Sequence, residues 1–202
     1  MTSALLKRRR FLAGATGASL AAGAALRNSA LAEPGPATGS DGHPLTALGA
    51  LGKPSDHHPL FDFTMTDGNG AAIPLSRFRG RKVILHCWAI WCGPCLRELP
   101  ELDAFYARHK DVVTILPVAL ASGTPASVAA FYKAHGIAAL PVLTAEAGAV
   151  QKAYGDVEMG LPDTLLLDAS GRLIGEANGA IAWNAADASS TLAALAALAR
   201  GT

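Results

Sequence analysis

Four consecutive residues of this 202-residue chain, Cys92-Gly93-Pro94-Cys95, set two thiols one turn apart. Such a pair is a working dithiol, half of a metal site, or an inert structural bridge. An apolar run from Lys82 to Ala89 precedes it, and Leu96, Leu99, Leu102, Phe105 and Tyr106 follow at helical spacing. The cysteines therefore stand where a strand passes into a helix, facing each other across one tight turn, and a short disulfide closes there without moving other structure. With Cys92 at the helix N-terminus, unsatisfied amides and the positive end of the dipole favour its thiolate. Thiolate is the species that attacks a disulfide, which makes Cys92 the nucleophile and the less exposed Cys95 the resolving thiol. Pro94 takes an early helical position, where a missing amide hydrogen costs little.

A zinc site needs four ligands, and the chain has no second Cys pair. His43, His57 and His58 lie in a polar stretch without ligand spacing; they read as a solvated arm, with weak copper or other metal binding as the alternative. The redox reading is preferred, with no cofactor beyond the Cys92-Cys95 pair itself.

The elements that must hold this pair alternate. Two short segments, Phe61 to Thr66 and Ala71 to Pro74, flank Asp67-Gly68-Asn69-Gly70 and predict a hairpin. After the dithiol, a helix to His109 is expected to kink at Pro100. Asp111 to Leu120 reads as a strand, Pro125 to His135 as a helix, Leu140 to Thr144 as a short strand and Ala147 to Tyr154 as a short helix. Strands at Thr164 to Asp168 and Arg172 to Ala177, then an Ala/Leu-rich helix from Ala185 to Arg200, complete the reading. This is an α/β pattern with a parallel core and a late antiparallel pair.

Residues 1–32 read as a signal segment: Lys7 to Arg10 precede Phe11-Leu12 and a weakly apolar Ala/Gly stretch, with Ala30-Leu31-Ala32 ahead of a cut before Glu33. The Arg8-Arg9-Arg10-Phe11-Leu12 order resembles a twin-arginine export signal. A retained membrane anchor is the alternative, although the run is short against the ~20 apolar residues needed to span. Residues 33–59, rich in Pro, Gly and Ser, read as a linker or arm, and 60–202 as the folded domain. Cleavage would leave 12 basic against 16 acidic side chains, a balance that does not recommend nucleic acid as a partner. All three cysteines would then sit in a compartment where disulfides persist.

Trp88-Ala89-Ile90-Trp91-Cys92-Gly93-Pro94-Cys95, followed by Glu98-Leu99-Pro100, resembles the thioredoxin superfamily and, more narrowly, its TlpA/ResA-like exported thiol-disulfide oxidoreductases. Leu75 to Arg81, Gly148 to Gly155, Gly160 to Thr164 and Asp168 to Arg172 also match that family's pattern. The resemblance implies a thioredoxin-like fold, a central mixed sheet flanked by helices with an N-terminal hairpin extension. It also implies that Pro162 is cis and faces the dithiol, with the Leu161 backbone offered to an extended client segment. Glu98 takes the family's acidic helix position, where it either tunes a thiol or relays a proton, or merely faces solvent. Trp91 is expected to cover one side of the disulfide, while Trp88 and Trp183 read as core.

Two residues depart from the family. His86 stands where thioredoxins carry a buried acid and TlpA-like proteins often Asn; it reads either as a base for the Cys95 proton or as a hydrogen-bonded core histidine. Cys87 replaces the usual Phe and points to the opposite strand face, which favours packing over a third redox thiol.

The resemblance further implies a periplasmic reductant of disulfides in exported clients, for instance apocytochrome c or oxidase copper-site cysteines, recharged by a membrane electron donor and transiently associated with the membrane. Disulfide formation or isomerisation, and thiol-based copper delivery, are the competing functions. A peroxidase would usually carry Pro-x-x-x-Thr/Ser-x-x-Cys, which the stretch before Cys92 lacks.

Overall fold

The computed structural model describes residues 61–155 and 159–184. The expected signal segment, the arm with its histidines and the closing helix at 185–200 lie outside the described residues.

Seven strands form one sheet in the order β2-β1-β5-β4-β3-β6-β7. The strands are β1 Thr64–Asp67, β2 Ala72–Pro74, β3 Val83–Trp88, β4 Thr114–Leu120, β5 Leu143–Ala145, β6 Asp163–Leu167 and β7 Leu173–Asn178. Three helices accompany them: α1 Gly93–His109, α2 Pro125–Ala134 and α3 Ala147–Tyr154. β3, β4 and β5 run parallel, as the helical crossovers between them require. β6 lies antiparallel to β3, and β7 to β6. The hairpin β1-β2 adds to the far edge, since β1 pairs antiparallel with β5. The expected mixed sheet with an N-terminal hairpin is thus the architecture observed.

Strand β3 is buried at all six positions because β4 and β6 flank it and both faces are covered. Its alternation divides the interior. Ile84 and Trp88 face a core shared with Leu99, Leu102 and Phe105 of α1. Val83, Leu85 and Cys87 face the other core, with Phe61, Met65, Leu75 and Leu165. Helix α1 turns Cys95, Glu98, Leu99, Leu102 and Phe105 inward at the i, i+3, i+4, i+7 spacing of an amphipathic helix. Each large apolar side chain so buried contributes roughly 1.5–3 kcal/mol.

Several boundaries differ from the sequence reading for identifiable reasons. Helix α1 already begins at Gly93, between the two cysteines, and continues through Pro100, which lies on its exposed side where a missing amide is best tolerated. The strand expected from Leu140 begins only at Leu143. The Asp103 carboxylate of α1 takes the amides of Ala138, Ala139 and Leu140 and turns that segment away from the sheet. Likewise β4 starts at Thr114, because the amides of Lys110, Val112 and Val113 bond back to the carbonyls of Tyr106 and His109. Asp168 leaves the strand for the β6-β7 turn, where its Oδ1 accepts from the amides of Ser170 and Arg172. Gly171 in that turn has φ +86°, and a Cβ there would stand 1.0 Å from the Arg79 guanidinium that crosses it.

Candidate active site

Cys92 is the N-cap of α1, with extended backbone (φ −87°, ψ 102°) and a sulfur that accepts the Cys95 amide at 3.3 Å. The cap places a sulfur where helices favour an anionic or hydrogen-bond-accepting group, the electrostatic condition for a low-pKa thiol. Cys92 and Cys95 form a disulfide with S–S 2.06 Å and Cα–Cα 5.3 Å. Cys92 retains 5% exposure and Cys95 none, so Cys92 is the more accessible of the two. Gly93 and Pro94 between them are exposed. A Cβ on Gly93 would meet nothing nearer than Arg97 Nη1 at 3.9 Å, so that glycine is not a steric necessity.

The loop before the dithiol is strapped to the end of β4. The Ile90 amide donates to Ser122 Oγ (3.1 Å), whose hydroxyl donates to the Leu120 carbonyl (2.9 Å). The Trp91 indole donates to the Ala121 carbonyl at 3.0 Å, and Ala121 itself sits at φ +46°, a left-handed conformation uncommon outside glycine. Trp91 is 64% exposed. It lines a groove of about 440 Å³ with Leu120, Ala121, Gly148, Met159 and Leu161. The Leu161–Pro162 bond is cis, as expected. Leu161 packs against the core cluster that contains both Cys92 and Cys95.

Glu98 does not face solvent. It is 2% exposed, and its Oε2 accepts from the Ile181 amide (2.7 Å) and the Trp183 indole (3.0 Å). Its other oxygen lies 3.3 Å from His86 Nε2, neither atom having another partner. The spacing is that of a pair, although the two atoms are too poorly aligned to form a regular hydrogen bond. His86 is itself fully buried, with Nδ1 2.9 Å from Thr164 Oγ1 and its ring edge-on to Trp183 at 5.6 Å. A buried imidazole and a buried carboxylate thus face one another, one from β3 and one from the helix that the dithiol begins. Trp88 and Trp183 are both fully buried, and Trp88 stacks on Tyr132.

Cys87 is a free, fully buried thiol in the other core. Burial, and secondarily the nearby Asp163, push its pKa well above the usual thiol range, the environment of an inert thiol.

Sequence reasoning assigned no role to Thr164, the Ile181 amide, or three groups on the Cys87 side: Asp163, Glu176 and Tyr154. Asp163 is fully buried with neither oxygen in a formed hydrogen bond. Burial, and then the neighbouring Glu176 carboxyl, push its pKa up from 3.8 to about 8. Tyr154 donates its hydroxyl to Glu176 Oε1. Asp163 beside Pro162 was visible as a motif residue, but its pairing with Glu176 arises from strand register alone.

Comparison with known proteins agrees with this geometry. A family model described as the AhpC/TSA family matches residues 57–175. The thiol-disulfide oxidoreductase ResA of Bacillus thuringiensis subsp. konkukian is 32% identical over 118 residues, covering 58% of this chain and 66% of that protein. The chain therefore spans just under two thirds of that relative's length. The sporulation thiol-disulfide oxidoreductase A of Bacillus subtilis is 32% identical over 117 residues, covering 56% of this chain and 67% of that protein. Among solved structures, the exposed lipoprotein thioredoxin of Streptococcus pneumoniae is 28% identical with a TM-score of 0.54, covering 66% of this chain and 98% of that one.

Proposed function

The chain belongs to the AhpC/TSA family, and on that premise we propose that it is a thiol-disulfide oxidoreductase which reduces disulfides of exported client proteins. The observation that carries the reading is the Cys92-Cys95 disulfide at the cap of α1, its outer sulfur already accepting a helix amide.

In the reduced protein the Cys92 thiolate attacks one sulfur of a client disulfide. A mixed disulfide forms and the client's other sulfur leaves as thiolate. Cys95 then gives up its proton and attacks Cys92 Sγ, so that the client's second thiolate departs. The client has gained two electrons and the Cys92-Cys95 bond has re-formed. The Cys95 proton passes to the His86-Glu98 pair, with Thr164 fixing the imidazole from one side and Trp183 and Ile181 fixing the carboxylate from the other. Trp91 and the Leu161-Pro162 turn form the surface on which the extended client segment lies.

Export follows from the twin-arginine-like residues 1–32, with a membrane-anchored form facing the same compartment as the alternative. The pneumococcal neighbour, by its description an exposed lipoprotein, supports an extracytoplasmic setting. No helix among the described residues is long and apolar enough to cross a membrane. Clients such as apocytochrome c or oxidase copper-site proteins, and a membrane electron donor that recharges the dithiol, complete the proposal.

The deciding experiment is the reduction potential of the Cys92-Cys95 pair, measured against glutathione or dithiothreitol by Trp fluorescence in protein lacking residues 1–32. A value near the roughly −270 mV of thioredoxin supports a reductant. A value above about −180 mV overturns it in favour of disulfide formation or isomerisation.

A further inference from the structure

On the face of the sheet away from the dithiol, Asp163 opens β6 directly after Pro162. It pairs in register with Cys87 of β3 on one side and Asn178 of β7 on the other. Glu176 lies two residues back along β7, diagonally across the same ladder, so its side chain and that of Asp163 leave the same face of the sheet and their carboxyls interact. The groups around Asp163 among the described residues are the Cys87 thiol, the Glu176 carboxyl and, from α3, the Tyr154 phenol, together with the neutral Asn178 amide. Neither carboxyl forms an ion pair among the described residues.

A fully buried carboxylate without partner or counter-ion is strongly disfavoured, and the ordinary escape is to keep its proton. Two acids side by side make that escape natural, because one proton turns their repulsion into a hydrogen bond. The Tyr154 hydroxyl, by donating to Glu176, marks Glu176 as the acceptor and Asp163 as the member that holds the proton. The upward displacement of Asp163 to about 8 has the same two causes.

The end of β7 also backs the Leu161–Pro162 turn, whose Leu161 packs on the core that contains Cys92 and Cys95. The Gly179 amide donates to the Pro162 carbonyl at 2.8 Å, and a Cβ on Gly160 would stand 2.8 Å from the Asn178 amide nitrogen. Whatever moves β7 against the start of β6 therefore moves residues 160–162, of which Leu161 lines the groove with Trp91.

We propose that Asp163 and Glu176 are positioning residues for the thiol-disulfide reaction, sharing one proton whose hydrogen bond holds β7 against β6 and so fixes the 160–162 turn beside the dithiol. The role in turnover rests on the oxidoreductase reading; the shared proton does not. Loss of that proton leaves the buried Asp163 carboxylate facing the half-buried Glu176 carboxylate across the ladder and loosens the turn.

The test has two arms. Infrared difference spectra of the whole protein, wild type against Asp163→Asn, should show a protonated carboxyl carbonyl band at pH 7. It should fade with a midpoint near pH 8, and the midpoint should fall in Glu176→Gln, where the anionic neighbour is gone. Absence of the band at pH 6 overturns the proposal, and this arm needs no client. In the second arm, kcat/KM for insulin reduction is measured from pH 6 to 9. Asn keeps the shape and neutrality of the protonated acid, so the ratio of wild type to Asp163→Asn should fall about tenfold between pH 7 and pH 9, as the protonated fraction does. A flat ratio, or an Asp163→Asn protein inactive at every pH although folded, overturns the positioning role. If Asp163→Asn does not fold, the wild-type band against Glu176→Gln decides alone. A protein with the band but no insulin reduction would refute the oxidoreductase reading and leave the shared proton standing.

Discussion

His86 Nε2 and Glu98 Oε1 face each other at 3.3 Å, with neither side chain exposed to solvent. One comes from the central strand and the other from the dithiol helix, so the pair joins the two elements that present the cysteines. Its carboxylate also holds the segment after β7 through Ile181 and Trp183.

Replacing Glu98 with Gln should keep an acceptor for those two donors while removing the charge. We expect a stability loss of about 1–3 kcal/mol, and more for Glu98→Ala, which leaves buried donors unpaired. Urea unfolding reads this. If the pair takes the Cys95 proton, Glu98→Gln and His86→Asn should also prolong the mixed disulfide seen by rapid acid quench. Wild-type resolution rates in both variants would remove that role.

Cys92→Ser should abolish disulfide reduction, whereas Cys95→Ser should trap the client as a mixed disulfide through Cys92. Non-reducing electrophoresis distinguishes the two. Trapping by Cys92→Ser instead would reverse the assignment of attacking and resolving thiols.

Cys87 should not react with a thiol reagent in the folded, oxidised protein, and should react once per chain in denaturant. Cys87→Ala should leave insulin reduction unchanged. Cys87→Ser buries a hydroxyl without an evident partner and should cost roughly 1–3 kcal/mol. Loss of activity in a well-folded Cys87→Ala protein would show that the thiol takes part in the redox cycle.

Trp91 carries little of the core, being largely exposed, so Trp91→Ala should change stability by no more than about 0.5 kcal/mol. It removes the bond to Ala121 and one wall of the groove. Reduction of a protein disulfide should slow more than reduction of a small aromatic disulfide, compared by kcat/KM. Equal slowing of both would place the Trp91 effect on the dithiol rather than on client binding.

The buried Asp163 gives a signed pH dependence. Its pKa is raised in the folded state, so the native protein binds more protons than the unfolded chain between roughly pH 4 and 8. That part of the stability is full below the unfolded pKa, declines as pH rises, and levels off above about 8. Asp163→Asn should flatten the decline, as measured by urea midpoints from pH 4 to 9.

Much of this protein is local, and local features are legible in order along the chain. The Cys92-Gly-Pro-Cys95 turn, the amphipathic period of α1, the Asp-Gly and Asn-Gly steps of the hairpin and the alternation that separates His86 from Cys87 depend on neighbours a few residues away. The sequence by itself therefore determined the dithiol, its place at a helix cap, the strand faces and the mixed α/β architecture. It could not determine whether Glu98 met water or His86, because that depends on where a helix lies over a strand and on a segment more than eighty residues further on. Nor could it bring Glu176 to Asp163 or turn residues 138–140 onto Asp103. Those contacts are fixed by strand register and packing between elements distant along the chain, and only the tertiary structure decided them.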